Sequence, residues 1–261
     1  YDPVTARIAR LVHPAARVRC EDYARSQMAG RFDLAIGNPP FSDRVVRADP
    51  VMRALGLRLH DYFIARSVAR LRPGGIALFV TSTGTMDKVS TTAREHIAGM
   101  ADLVGAVRLP EGSMRAAAGT DVVIDVLVFQ RREAGQSPAG TAWIDLAAVD
   151  SAAAYDEGDE APDTDSPASP GIRVNRYFAE HPEMVLGEHA MRRGIYGPAP
   201  AYTCRPRKNS MALEILLTEA LDRLPAGIFT ASAESQPDDH SDDEAGPVAR
   251  AGTAADGATI K

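Results

Sequence analysis

Cysteine is nearly absent from this 261-residue chain: Cys20 and Cys204 stand far apart, with no CxxC and no Cys/His spacing. A disulfide framework and a zinc site are therefore not expected. The six histidines are scattered, and His181 and His189 read as surface residues rather than metal ligands, so no metal is expected. No apolar run approaches the ~20 residues of a membrane helix, and no charged-then-apolar leader opens the chain. Neither membrane nor secretion is indicated, and the cytoplasm is the default. Internal repeats are lacking too.

What is present suffices for a folded enzyme-sized unit. Hydrophobic residues make up 45% of the chain, enough for a substantial core. The net charge of −6 conceals an asymmetry. Residues 1–133 carry 19 Lys+Arg against 14 Asp+Glu, a net of +5, whereas residues 134–261 carry 10 against 21, a net of −11. Local sign decides the response to a polyanion, so the acidic total does not argue against DNA as a partner. A surplus of +5 permits such binding without demonstrating it.

The first half alternates between helix and strand patterns. Asp2-Pro3 predicts an N-cap followed by a helix to about Val12. Val18-Arg19-Cys20 predicts a short strand, and Phe32 to Gly37 a buried one. Leu59, Phe63, Ile64, Val68 and Leu71 recur at helical spacing and predict a helix from about Leu57 to Leu71. Arg72-Pro73-Gly74-Gly75 should break it, since such a turn needs glycine to reach positive φ. Strands are expected over Ile76–Thr81, Leu103–Val107 and Val122–Phe129, with a helix over residues 88–100. This alternation predicts a mostly parallel sheet covered on both faces, with ligands beyond the carboxyl ends of its strands. From Ala134 the composition shifts to a linker and then an acidic low-complexity segment through residue 170, with an edge strand near Trp143–Leu146. Residues 171–228 should form an extension with one amphipathic helix, about Met211–Leu224, and residues 229–261 an acidic disordered tail.

The strand expected at 32–37 runs into Asn38-Pro39-Pro40-Phe41. Two prolines fix φ and supply no N–H, so the turn is stiff and its carbonyls are free to accept hydrogen bonds. The residue before each proline is pushed towards extended backbone, which holds the Asn38 amide out of the strand end. Asn38 offers a side-chain oxygen, Pro39 a carbonyl and Phe41 a flat apolar face. Together these suit a planar ring bearing an exocyclic amino group. A rigid loop is the bland alternative. The tetrapeptide resembles the catalytic motif of amino-group methyltransferases that use S-adenosylmethionine, above all the N6-adenine DNA methyltransferases.

That resemblance implies a Rossmann-like α/β methyltransferase fold in which Asn38, Pro39, Pro40 and Phe41 form the catalytic turn. It implies that Asp22, in Cys20-Glu21-Asp22-Tyr23, accepts from the adenine amino group of S-adenosylmethionine while Tyr23 packs near the ring. A helix-capping aspartate is the alternative for Asp22. Leu71 to Ile76, Thr81-Ser82 and Gly119-Thr120-Asp121 also look like this family. Gly84, Thr85 and Asp87 would either line the target-base pocket or belong to a solvated loop. His60-Asp61 is set aside, because adjacent helical residues do not face each other. His60-Asp61-Tyr62-Phe63, Leu109-Pro110 and His181-Pro182-Glu183-Met184 resemble the methyltransferase region of helicase-linked proteins of bacterial mobile elements, which implies DNA, with a flipped-out base, and a helicase region of the same polypeptide as partners. The likeness covers roughly residues 1–205.

The family's glycine-rich cofactor turn has no counterpart here, because Gly74-Gly75 and Gly135 to Gly140 stand in the wrong places. In the implied strand order 3-2-1-4-5-7-6, the first two strands are expected to be missing, so that residues 1–133 form a partial catalytic core. A non-catalytic fragment, and a methyltransferase acting on an RNA base or a protein glutamine, are the rival expectations.

Overall fold

The computed structural model describes residues 2–28, 31–150, 171–193, 200–208 and 211–229. The acidic stretch 151–170 and the tail from residue 230 lie outside them, as do the expectations made for those segments. Helix α1 (Pro3–Val12) starts as predicted: Asp2 accepts from the Val4 N–H at 3.2 Å and the Thr5 N–H at 3.0 Å, with proline in the first turn. The strand expected at Val18–Cys20 is irregular chain instead. Among the described residues no strand runs beside it to form a ladder, and the Val18 carbonyl accepts from the Arg10 guanidinium (Nη2, 3.1 Å).

Strand β1 (Phe32–Gly37) pairs in parallel with β2 (Leu71–Ser82), Gly37 standing opposite Phe79. It is an edge, contrary to the buried strand expected, and Phe32, Leu34 and Ile36 are 41%, 57% and 70% exposed. Helix α2 (Leu59–Ala69) lies between them in sequence and ends two residues before Leu71, where β2 already begins. The expected break at 72–75 is absorbed inside β2 as an irregularity. The register slips between Phe32 and Leu34, Gly74 takes φ +76°, and a side chain at Gly75 would meet the Arg72 and Asp33 carbonyls at 2.9 and 3.0 Å.

Helix α3 (Thr92–Ala98), β3 (Ala101–Leu109), the single-turn α4 (Arg115–Ala118) and β4 (Ile124–Arg131) complete the main sheet. Its order is β1-β2-β4-β3, and β4 runs antiparallel to both neighbours. The sheet is therefore mixed rather than mostly parallel, because β4 returns from β3 and inserts beside it.

The later chain joins the same core. Strands β5 (Leu146–Val149) and β6 (Ile172–Asn175) pair antiparallel, followed by α5 (Arg176–Glu180), the antiparallel pair β7 (Glu188–Arg193) and β8 (Pro200–Arg205), and α6 (Leu213–Asp222). Val174, Phe178 and Cys204 are as buried as Ile64, Val68, Leu71, Ile97 and Phe129. Asn175 is the latch. Its amide nitrogen donates to the Met86 and Trp143 carbonyls, each at 2.8 Å, and its backbone N–H to Asp87 at 2.8 Å. No helix of the structure is long and apolar enough to cross a membrane.

Arg108, fully buried on β3, ties β7–β8 to the sheet. Its Nε and Nη2 donate to the two oxygens of Asp125 at 2.8 Å, Nη1 lies 2.8 Å from Asp87 and 3.1 Å from the Tyr202 hydroxyl, and the Phe178 ring centroid is 4.2 Å away. Burial opposes its charge, but Asp125 and Asp87 outweigh that and hold the guanidinium well above its ordinary pKa. Removing Asp125 leaves the buried guanidinium with Asp87 alone, and its Nε and Nη2 hydrogens without their acceptors. Asp125→Ala should therefore cost about 3–5 kcal/mol, read as a lower urea midpoint at unchanged slope.

Candidate functional site

The turn after β1 occupies the carboxyl end of the one parallel pair. Because Gly37 stands level with Phe79, Asn38 emerges beside Val80 and the Thr81-Ser82 end of β2. Pro39 is buried and roots the turn, while Asn38 and Pro40 are exposed and Phe41 is 41% exposed. Among the described residues neither the Asn38 side chain nor the Pro39 carbonyl takes part in a hydrogen bond. Two acceptors and an aromatic face thus stand unengaged at a strand end.

Residues 42–57 fold back from this turn onto α2. The Val46 N–H donates to the Leu57 carbonyl at 3.1 Å, and Asp43 pairs with Arg58. Asp49 anchors the excursion, accepting from the Val51 N–H at 2.8 Å, from the Tyr62 hydroxyl at 2.9 Å and from Arg66. Burial pushes its pKa up, but the Tyr62, Val51 and Met52 hydrogen bonds and the Arg66 charge prevail and hold it below the ordinary 3.8. A carboxyl with a depressed folded-state pKa contributes stability above its unfolded pKa and loses it as pH falls through the folded value. The native chain should thus lose stability more steeply below pH ~4 than Asp49→Asn does, in urea titrations across that range.

Asp22 lines a cavity of about 290 Å³ with Arg44, Val45, Val46, Leu59 and Phe63. Its Oδ1 accepts from the Ala24 N–H at 2.9 Å. Tyr23 turns the other way: its hydroxyl is 2.9 Å from Ser67 Oγ, its ring centroid 4.9 Å from that of Phe63, and Arg66 lies over its face at 5.3 Å. The cavity includes Asp22 and the segment downstream of the Asn38 turn, but not Tyr23, Asn38 or Phe41. One carboxylate among Val45, Leu59 and Phe63 suits an adenine ring with its amino group. The volume is at the lower end of ligand-pocket sizes, ~300 Å³.

The loop after β2 is not the solvated one expected. Thr85 and Met86 are buried, and Arg94, 1% exposed, donates to the Thr85 (3.1 Å), Lys88 (2.8 Å) and Ile144 (2.6 Å) carbonyls. Asp87 is engaged by Arg108 and Asn175. Ile144, Arg108 and Asn175 come from far along the chain, so the local sequence could not reveal them. His60 and Asp61, set aside above, do meet: Nε2 and Oδ1 lie 3.4 Å apart, with the side chains 5% and 1% exposed. Lys88 Nζ is 3.7 Å from the other Asp61 oxygen, and a side chain at Gly84 would sit 3.4 Å from His60 Nε2. The pair thus packs under the loop beyond β2. His181 and His189 are half-buried rather than free on the surface, and His189 Nδ1 lies 2.9 Å from the Tyr202 hydroxyl. Burial, and then the Arg108 charge, lower the His189 pKa. Cys20 is exposed and Cys204 buried, and burial pushes the Cys204 thiol up to about 12.

No known family model matches the chain, and no curated protein does. Several solved structures are similar to part of it. A Vibrio vulnificus protein assigned as the modification subunit of a type I restriction enzyme is 26% identical, over 42% of this chain and 26% of its own, with a TM-score of 0.37. The M protein of the type I restriction enzyme EcoKI is 16% identical over 52% of this chain and 30% of its own, with a TM-score of 0.39. A Listeria monocytogenes protein assigned as a class I S-adenosylmethionine-dependent methyltransferase is 16% identical over 45% and 37%, with a TM-score of 0.36. This chain thus spans between 26% and 37% of the lengths of these proteins.

Proposed function

We propose that this chain forms the target-base half of an S-adenosylmethionine-dependent DNA methyltransferase that acts on N6 of adenine. One observation carries the reading: the Asn38 amide and the Pro39 carbonyl, both unengaged, stand beside the exposed Phe41 ring at the carboxyl end of a parallel strand. An adenine inside a duplex is out of reach, so the base is flipped out. Asn38 and Pro39 then accept from its two N6 hydrogens. This localises the nitrogen lone pair and aims it outward, while Phe41 stacks on the ring and fixes its plane. Pro40 keeps the turn stiff. Asp22 accepts from the cofactor's adenine amino group, and Tyr23 supports that corner from the α2 side. The bound cofactor supplies an activated methyl group; the protein supplies alignment.

The open edge of β1, with Phe32, Leu34 and Ile36 bare, supports a sheet that continues past it. We read that edge as the seat of the two strands that would carry the glycine-rich cofactor turn, in a parent polypeptide that also holds a helicase region. The small Asp22 cavity favours, as the second reading, a fragment without activity of its own.

The test uses the parent polypeptide and S-adenosylmethionine with duplex DNA, RNA and a glutamine-containing protein offered together, and methylated products are identified by mass spectrometry. N6-methyladenine is the expected product; methylated RNA or glutamine alone would replace this reading. In the same assay Phe41→Ala should raise KM for DNA, since lost stacking of about 1–3 kcal/mol is roughly 5- to 150-fold. Phe41→Tyr should remain active, and a dead tyrosine variant would remove the stacking role.

A further inference from the structure

A second concavity lies at the opposite end of the sheet from Asn38, where the parallel strands begin. Its volume is about 290 Å³, and three arginines line it: Arg31 just before β1, and Arg131 and Arg132 at the end of β4. Two of the three are held in place by the protein. Arg31 donates to the Ala69 carbonyl at 2.7 Å and the Leu71 carbonyl at 3.5 Å, and Arg132 pairs with Asp102 at 2.6 Å. Arg131 is different. Its Nη1 is buried with no hydrogen-bond acceptor, and among the described residues it makes no ion pair. Glu133, also in the lining, is exposed and does not pair with it.

Such an arrangement is costly as it stands. A guanidinium nitrogen withdrawn from water needs an acceptor or a compensating charge, and the two arginines beside Arg131 carry the same sign as it does. Burial first, and then Arg31 and Arg132, push the Arg131 pKa down. His96, whose Nε2 is also buried without a partner, has its pKa lowered by burial and then by Arg131. The group that would resolve this is an anion with several acceptor oxygens, because guanidinium forks match the oxygens of phosphate in pairs.

We propose that Arg31, Arg131 and Arg132 form a binding site for a phosphate group, remote from the catalytic turn. The small volume admits a pyrophosphate or one nucleotide's phosphate and sugar, and not a larger ligand. This goes beyond the methyl-transfer reading and does not depend on it.

The 261-residue chain is titrated calorimetrically with inorganic pyrophosphate, and separately with a short duplex by fluorescence anisotropy over a range of salt. The variants are Arg131→Gln, Arg131→Lys, Arg31→Gln and, as an exposed control, Arg173→Gln. Saturable pyrophosphate binding is expected, weakened roughly tenfold or more in Arg131→Gln and Arg31→Gln, partly retained in Arg131→Lys and unchanged in Arg173→Gln. If duplex affinity falls in parallel and its log–log salt slope shrinks by about 0.9 for the lost contact, the phosphate comes from a nucleic-acid backbone. If duplex binding is unaffected while pyrophosphate binding is lost, the natural ligand is a free phosphate compound. Absence of saturable binding in both titrations, or equal affinities in all variants, overturns the site. Thermal melting confirms that each variant is folded. Should Arg131→Gln fail to fold, Arg31→Gln and Arg131→Lys still decide the matter.

Discussion

Replacing Asn38 by alanine in the complete enzyme should abolish methyl transfer while leaving stability within ~1 kcal/mol of the native protein. The two halves of this expectation have separate physical causes. Asn38 is exposed at the end of β1, and its side chain makes no hydrogen bond among the described residues, so the fold has little to lose. The reacting amino group, by contrast, loses the acceptor that orients one of its hydrogens. That acceptor matters most as the nitrogen gains a fourth bond, so the loss falls on the transition state rather than on ground-state binding. The measurements are the rate of N6-methyladenine formation and the urea midpoint, with KM for DNA near the native value. Near-native turnover would remove Asn38 from the chemistry. A collapsed urea midpoint would instead make the residue structural.

Much of this was written in local sequence. Asp2-Pro3 sets the start of α1, and the apolar spacing of α2 places Ile64 and Val68 in the core. The stiffness of Asn38-Pro39-Pro40 follows from proline chemistry alone. The failures share a cause, which is dependence on distant partners. Phe32 to Gly37 has the composition of a buried strand, but burial is conferred by neighbours, and β1 has one on a single side. Val18–Cys20 has strand-forming residues and no ladder to join. Pro73-Gly74-Gly75 reads as a helix-to-strand break, yet the β1 carbonyls crowd Gly75 and fold the motif into the strand. Thr85 to Asp87 reads as a polar loop because Arg94, Arg108 and Asn175 lie up to about ninety residues away. Successive side chains on a helix point in different directions, so the sequence gives no reason to pair His60 with Asp61. At the first turn of α2, under the loop beyond β2, burial presses the two together at 3.4 Å.

Titrated with S-adenosylmethionine, the 261-residue chain should show only weak binding, and a version extended upstream by about 60 residues, two units of roughly 30 each, should bind tightly. On the proposed reading, the 261-residue chain offers Asp22 and a cavity of about 290 Å³, lined also by Leu59, Phe63, Arg44 and Arg47, for the adenine end, and the Asn38 turn for the reacting end. By the family resemblance, the ribose and methionine portions contact the strands that would join at the bare β1 edge. Several hydrogen bonds are then lost together, those to charged groups contributing roughly 1.5–3 kcal/mol each. Two or three of them suffice to move a micromolar affinity beyond ~1 mM. The same addition should cover Leu34 and Ile36, now 57% and 70% exposed. Amide hydrogen exchange along β1 should therefore slow in the extended chain, independently of the cofactor. If exchange slows and affinity does not rise, the edge is a strand-pairing site unconnected with the cofactor. Tight binding by the short chain would mean that its cofactor contacts lie elsewhere than at Asp22 and the β1 edge.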